Sequence, residues 1–178
     1  MIREQFSRDL LNPYLIWGLG IVAILPVPLI LAISAGVPLY QMLTLVGSAL
    51  LIEYGAGAVG VALGISPLVI ILTLASVCTG LLLLLFGIFI FLGEKSEHVA
   101  NFLKNTGNLM ERHPYIWKWG ILSLVPGEII LGIYFMVPAA WILHWDIRKS
   151  AVLIFAGNLA GGIVTIYSAM GLLQILFP

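Results

Sequence analysis

The sequence predicts an all-α integral membrane protein with two related halves, and three observations carry that expectation. Hydrophobic residues make up 61% of the chain and charged residues 9%, with a mean hydropathy of +1.13; a soluble domain is about half apolar and a quarter charged. No charge interrupts Leu10 to Ile52, Tyr54 to Gly93 or Ala151 to Pro178, and each run exceeds the roughly 20 residues that a spanning helix needs. The third observation is an apolar segment, broken by proline, that occurs twice at an offset of one hundred residues.

Residues 1–11 place Ile2, Phe6 and Leu10 one helical turn apart, with Arg3, Glu4, Arg8 and Asp9 elsewhere on the circumference. That pattern predicts a short interfacial helix. The first repeat covers residues 13–64. Between Gly18 and Pro38, two short apolar arms flank Pro26-Val27-Pro28; at 1.5 Å per residue each arm is about 12–14 Å long and reaches only the bilayer midplane. A re-entrant hairpin fits those lengths, and a single kinked span is the alternative. Residues 39–63 are read as a span carrying Glu53 and a ladder of small residues at Ala56, Gly60 and Gly64, which allows another backbone to approach closely.

Residues 67–92 predict a plain transmembrane helix whose polar groups are Thr73, Ser76, Cys78 and Thr79. Residues 94–113 predict an amphipathic linker helix, with Val99, Phe102, Leu103, Thr106, Leu109 and Met110 opposite Lys95, Lys104 and Glu111. The second repeat occupies residues 114–176. Comparing 16–38 with 116–138, ten of twenty-three positions are identical, among them Trp17, Gly20, Pro26, Val37 and Pro38 and their counterparts. After a five-residue insertion Glu53 falls opposite Asn158, so each unit reads as a broken segment followed by a glycine-rich helix. Internal repeats with interrupted hydrophobic segments mark transporter folds and point to the binding site.

With both broken segments re-entrant, all eight basic residues lie on one side, as the positive-inside rule prefers. The expectation is therefore two hairpins and three full spans, in a multi-pass protein of the cell membrane with a cytoplasmic N-terminus.

The chemistry rests on few side chains. Pro126-Gly127-Glu128 interrupts the second broken segment, and a charged group in hydrocarbon costs roughly 2 to 4 kcal/mol, so intramembrane acids are functional hypotheses by default. Glu128 is expected either to sit in the first turn of a half-helix, stabilised by free N–H groups, or to carry a proton. Glu53 is the second acid and Asn158 its amide counterpart; these three are the transport or ion-coupling candidates, and Pro26, Pro28, Pro126 and Gly127 are the expected hairpin breaks. Arg148 and Lys149 are read as a topology anchor between interfacial tryptophans or as a contact for an anionic headgroup. The lone Cys78 excludes an internal disulfide, His113 and His144 are too far apart to suggest a metal pair, and no cofactor is expected. Dispersed basic residues form no nucleic-acid footprint. No catalytic signature is present, so an enzyme is not expected.

The run Trp117-Lys-Trp-Gly120, Val125-Pro126-Gly127-Glu128, Pro138-Ala-Ala, Trp145-Asp-Ile-Arg148-Lys-Ser and Gly157-Asn158-Leu-Ala-Gly-Gly162 resembles the second half of the DedA/VTT superfamily, particularly its small multidrug export branch. The resemblance implies two re-entrant hairpins facing each other as inverted repeats, and transport or scrambling of lipids such as polyprenyl phosphates, often ion-coupled. Arginines usual around that hairpin proline are replaced here by Ser123 and Glu128, and the charge count favours parallel rather than inverted units. The expected function is a small membrane transporter or lipid flippase acting on an anionic lipid or an amphipathic small molecule, co-purifying only with membrane lipids or copies of itself. The alternative is a scaffold subunit, which would bring a stoichiometric partner.

Overall fold

The computed structural model describes residues 13–95, 120–143 and 145–176; the helix expected at 1–11 and all but the start of the one expected at 94–113 lie outside them. Eight α-helices follow in order among the described residues: α1 Pro13–Ile24, α2 Pro26–Ala35, α3 Leu39–Ile52, α4 Ala56–Ala62, α5 Pro67–Lys95, α6 Leu124–Leu131, α7 Ile133–Ile142 and α8 Ile147–Leu176. A 3₁₀ turn at Glu53–Gly55 joins α3 to α4, and another at Ile121–Ser123 leads into α6. No strand occurs among the described residues. Among the described residues, four helical runs are long and apolar enough to cross a membrane: Tyr14–Ala35, Leu39–Ala62, Pro67–Phe89 and Ile147–Leu172. This is a multi-pass helical membrane protein.

The first proline break is a bend, not the expected hairpin. Leu25 leaves helical geometry at φ −118° and ψ −62°, yet its N–H donates to Ile21 O at 3.1 Å and its carbonyl accepts from Leu29 N–H at 3.1 Å. Pro26 opens α2, where a missing N–H costs little because the first turn has no intrahelical acceptor for it. Ser76 donates to the carbonyl of Ala23, 2.5 Å away, just before the bend. The helix ends instead at Gly36, whose φ of 67° allows Val37 N–H to reach back to Ala32 O at 2.9 Å.

α5 is the mast against which the other helices are measured. Along α1, Trp17 faces Gly87, Gly20 faces Leu84 and Gly80, and Ile24 faces Gly80, so α1 runs antiparallel to α5. A Cβ on Gly80 would stand 2.6 Å from Gly20 O, and this close backbone approach drives association where lipid removes the hydrophobic incentive. On α3, Met42 meets Thr73, and Ala49 and Glu53 lie beside Val77, Cys78 and Leu81. On α4, Gly60 packs on Ile70. The contacts climb α5 and then descend it, so the chain doubles back at Glu53. Leu39–Ala62 therefore reaches spanning length only by counting both arms of a hairpin.

A second hairpin runs the other way. Ile121 and Leu122 share a groove with Arg148, Lys149, Val152 and Leu153, and Val125 and Glu128 pack on Gly157, so α6 descends beside α8. The chain then reverses at Gly132, and α7 climbs until Trp141 packs on Phe89 with ring centroids 5.2 Å apart. α8 runs antiparallel to α5, with Asn158 beside Cys78 and Gly162 against Leu74.

The two sequence repeats thus adopt different backbones. Ala32 stays inside α2 and is fully buried, whereas its counterpart Gly132 takes φ 81° and ψ 172° and breaks the chain, a conformation open essentially to glycine alone. Glu53 is a break, whereas its counterpart Asn158 lies inside α8.

Candidate functional site

The tips of the two hairpins meet. Glu53, the one non-glycine residue with positive φ among the described residues, at 52°, opens the 3₁₀ turn after α3. Its Oε2 accepts the N–H of Ile133 at 2.8 Å, the first residue of α7, where a helix presents unpaired donors and a partial positive charge. A side chain at Gly132 would collide with that carboxylate, so glycine is required here both for its backbone angles and for the space. Tyr54 donates to the carbonyl of Ile129 in the last turn of α6. Tyr134 donates to the carbonyl of Leu50 in the last turn of α3, at 2.5 Å. Each hairpin thereby satisfies backbone groups that the other leaves orphaned at its break, which hydrocarbon demands.

Glu128 joins this junction from α6. It is 0% exposed, Glu53 is 8% and Asn158 is 4% exposed. Asn158 Nδ2 donates to Glu128 Oε1 at 3.2 Å, while Glu128 Oε2 finds no protein donor; the Glu53 and Glu128 carboxyls adjoin one another. Gly157 leaves room for the Glu128 side chain, since a Cβ there would come within 2.9 Å of it. Beside the pair is a cavity of about 10 Å³ lined by Glu53, Asn158, Ala49, Leu74, Val77, Cys78 and Leu81, roughly the room of one water-sized body. Among the described side chains the basic ones are Arg148 and Lys149, and both are exposed.

Two carboxyls in contact with no cation attract one another only when one keeps a proton, and such a pair titrates as a unit. Glu53 sits on the start of α7, whereas Glu128 accepts from Asn158 at Oε1 and its Oε2 meets no protein donor.

The structure thus brings Glu53, Glu128 and Asn158 together. It does not place the expected hairpin breaks at the tips: Pro26 and Pro28 lie in the first turn of α2, and Pro126 and Gly127 in the first turn of α6. The reversals fall at Glu53 and Gly132, because a proline near a helix start is harmless whereas a positive φ ends the helix. Arg148 and Lys149 stand ten and nine residues before Asn158 on α8, about 15 Å along the axis, flanking an apolar groove of about 460 Å³. They take no part in the carboxyl cluster. The Lys149 N–H donates to Asp146 Oδ1 at 2.9 Å, which caps α8. Sequence reasoning missed Gly132, Tyr54 and Tyr134; hydroxyls next to an acid or a glycine deep in apolar segments were the available signal. No group of three or more His, Cys, Asp or Glu side chains that could hold a metal ion exists among the described residues.

The fold and the junction define a class, a multi-pass helical membrane protein with a buried acidic centre between two broken helix pairs. No family model, curated protein or solved structure matches the chain.

Proposed function

We propose that this protein is a small secondary transporter of the cell membrane, coupled to protons, in which the hairpins Leu39–Ala62 and Ile121–Ile142 enter the bilayer from opposite sides and meet near its midplane. The observation that carries the reading is the Glu53–Glu128 pair, buried where two helix breaks touch and matched by no basic side chain among those described. Intramembrane acids at such breaks are where secondary transporters hold substrates and coupling ions. The opposed hairpins agree with the facing arrangement that the DedA/VTT resemblance implies, and not with the parallel one that the charge count favours. With α1–α2, α5 and α8 as the three full crossings, Lys95, Arg148 and Lys149 still lie at one end of the bundle, so the positive-inside rule is satisfied by a different set of hairpins.

Glu128 exchanges the proton, while Glu53, held on the N-terminus of α7, is the fixed anion that registers its loss. Removing the proton sets two carboxylates against each other in a dry junction, and the repulsion separates the tips. The substrate is an amphipathic molecule, of which an anionic lipid is one form. The groove beside Arg148 and Lys149, apolar along its floor and basic at its edge, fits the entry of such a molecule from the adjacent leaflet.

The test is movement of a fluorescent anionic lipid or amphipathic dye across reconstituted vesicles under an imposed pH gradient. Gradient-dependent movement that is lost in Glu128→Gln and in Glu53→Gln supports the reading. Movement indifferent to both substitutions overturns it.

A further inference from the structure

We infer that the groove between the root of the second hairpin and α8 seats one resident anionic phospholipid. Its acyl chain lies along the groove and its phosphate is held by Arg148 and Lys149, so that the lipid staples the start of α6 to α8. The inference rests on the proposed transport reading for the depth of the groove in the bilayer, and on separate observations for its chemistry.

The groove has walls from two parts of the chain. Ile121 and Leu122 stand on the 3₁₀ turn before α6, and Arg148, Lys149, Val152 and Leu153 on the first two turns of α8. Leu122 is 52% and Val152 67% exposed, so the groove opens sideways, and a chain can slide in from the bilayer without passing through water. Its volume of about 460 Å³ holds about fifteen non-hydrogen atoms at roughly 30 Å³ each. That is the size of one acyl chain; the second stays among its neighbours in the leaflet.

The order of residues along α8 matches the order of groups in a lipid. Arg148 precedes Val152, and Lys149 precedes Leu153, by one turn on the same strip of helix surface. With Asn158 near the bilayer midplane, the ten residues back to Arg148 cover about 15 Å, half of a hydrocarbon core about 30 Å thick. The two basic heads therefore stand at the level of the lipid phosphates, and the apolar floor runs inward from them.

Charge selects an anion. Neither Arg148 nor Lys149 forms an ion pair with a described residue. The nearby acid, Asp146, accepts the backbone N–H of Lys149, and residues 146–149 together keep one positive charge in excess. An arginine fork takes two phosphate oxygens at once, and each basic residue beside an anionic headgroup strengthens binding about fivefold, so the two together give about thirtyfold. A zwitterionic lipid forfeits that preference, and free phosphate forfeits the groove. A substrate that enters here exchanges with the resident lipid.

The experiment uses the full chain in mild detergent, with phosphatidylglycerol, phosphatidylcholine or inorganic phosphate added at equal ionic strength, and reads native mass spectra and thermal melting. Expected are one phosphatidylglycerol bound per chain and a raised melting temperature, with neither effect from phosphatidylcholine or phosphate. Arg148→Gln combined with Lys149→Gln should weaken phosphatidylglycerol binding about thirtyfold. Val152→Trp, which fills the groove and keeps both charges, should expel the lipid. All three positions are exposed, and melting without lipid shows that the variants are folded. Equal binding of phosphatidylcholine, a shift given by phosphate alone, paired chains without lipid, or phosphatidylglycerol binding that survives either variant overturns the site. Binding that leaves melting unchanged overturns the staple. Intact pH-driven transport in a protein that binds no lipid selectively removes the lipid site and leaves the transport reading standing, and selective binding without transport does the reverse.

Discussion

Glu128→Gln separates the proton's chemical role from its structural one. A glutamine amide has the shape of the protonated acid: its carbonyl oxygen can accept from Asn158 Nδ2, and its NH₂ can donate to Glu53 where the acid O–H does. Glu128→Gln should therefore fold with stability within about 0.5 kcal/mol of the parent, the range of a substitution that leaves no buried group unpaired. Glu128→Leu, of similar volume, strands the Asn158 amide, while Glu53 keeps the N–H of Ile133. A buried polar group left unsatisfied costs about 1–3 kcal/mol, and that is the expected destabilisation. Thermal melting in detergent measures the first difference, and the vesicle assay measures whether Glu128→Gln, though folded, has lost transport. A Glu128→Leu variant as stable as the parent, or a Glu128→Gln variant that unfolds, would refute the proposal that Glu128 carries the proton.

Further outcomes follow from the fold. Gly132→Ala forces a Cβ into the Glu53 carboxylate at a backbone conformation reserved for glycine; strain of about 1–3 kcal/mol plus the weakened charge-assisted bond from Ile133 should lower the melting temperature and uncouple the hairpins, whereas Ala32→Gly should cost only about 1 kcal/mol. Tyr54→Phe and Tyr134→Phe each release one carbonyl at the opposite break and should each cost about 0.5–1.5 kcal/mol, with sensitivity to protease at the hairpin tips as a second readout. Gly80→Val should push α1 from α5, lowering melting by more than the same change at Gly18, where a Cβ meets nothing within 4 Å. In a Cys78→Ser background, cysteines placed at Gly36 and Gly64 should label from the side opposite to a cysteine at Lys149. Labelling of Gly36 and Lys149 from one side would restore the hairpin at Pro26 and overturn the crossing of α1–α2.

How much was legible without coordinates divides along physical lines. The uncharged runs announce a helical membrane protein by themselves, because hydrocarbon admits few alternatives to helices with all backbone groups paired. The two acids were legible as buried groups for a related reason: a carboxyl far from any basic residue in a long apolar run must find a partner inside the protein.

Which segments turn back was decided only in three dimensions. Proline is the loudest breaker in a sequence, but in the first turn of a helix it removes nothing that was paired, so Pro26 and Pro126 bend or begin helices without reversing them. The reversals at Glu53 and Gly132 depend on a positive φ, and on the other hairpin standing opposite to satisfy the broken end: Ile133 N–H on Glu53, Tyr134 on Leu50 and Tyr54 on Ile129. Near-identical segments consequently fold differently, with Ala32 closed into a helix and Gly132 opened by a carboxylate arriving from eighty residues away. The sequence by itself determined that two buried acids had to be housed in a helical membrane protein. That they house each other is a property of the tertiary structure, because only the meeting of the two tips brings the two side chains together.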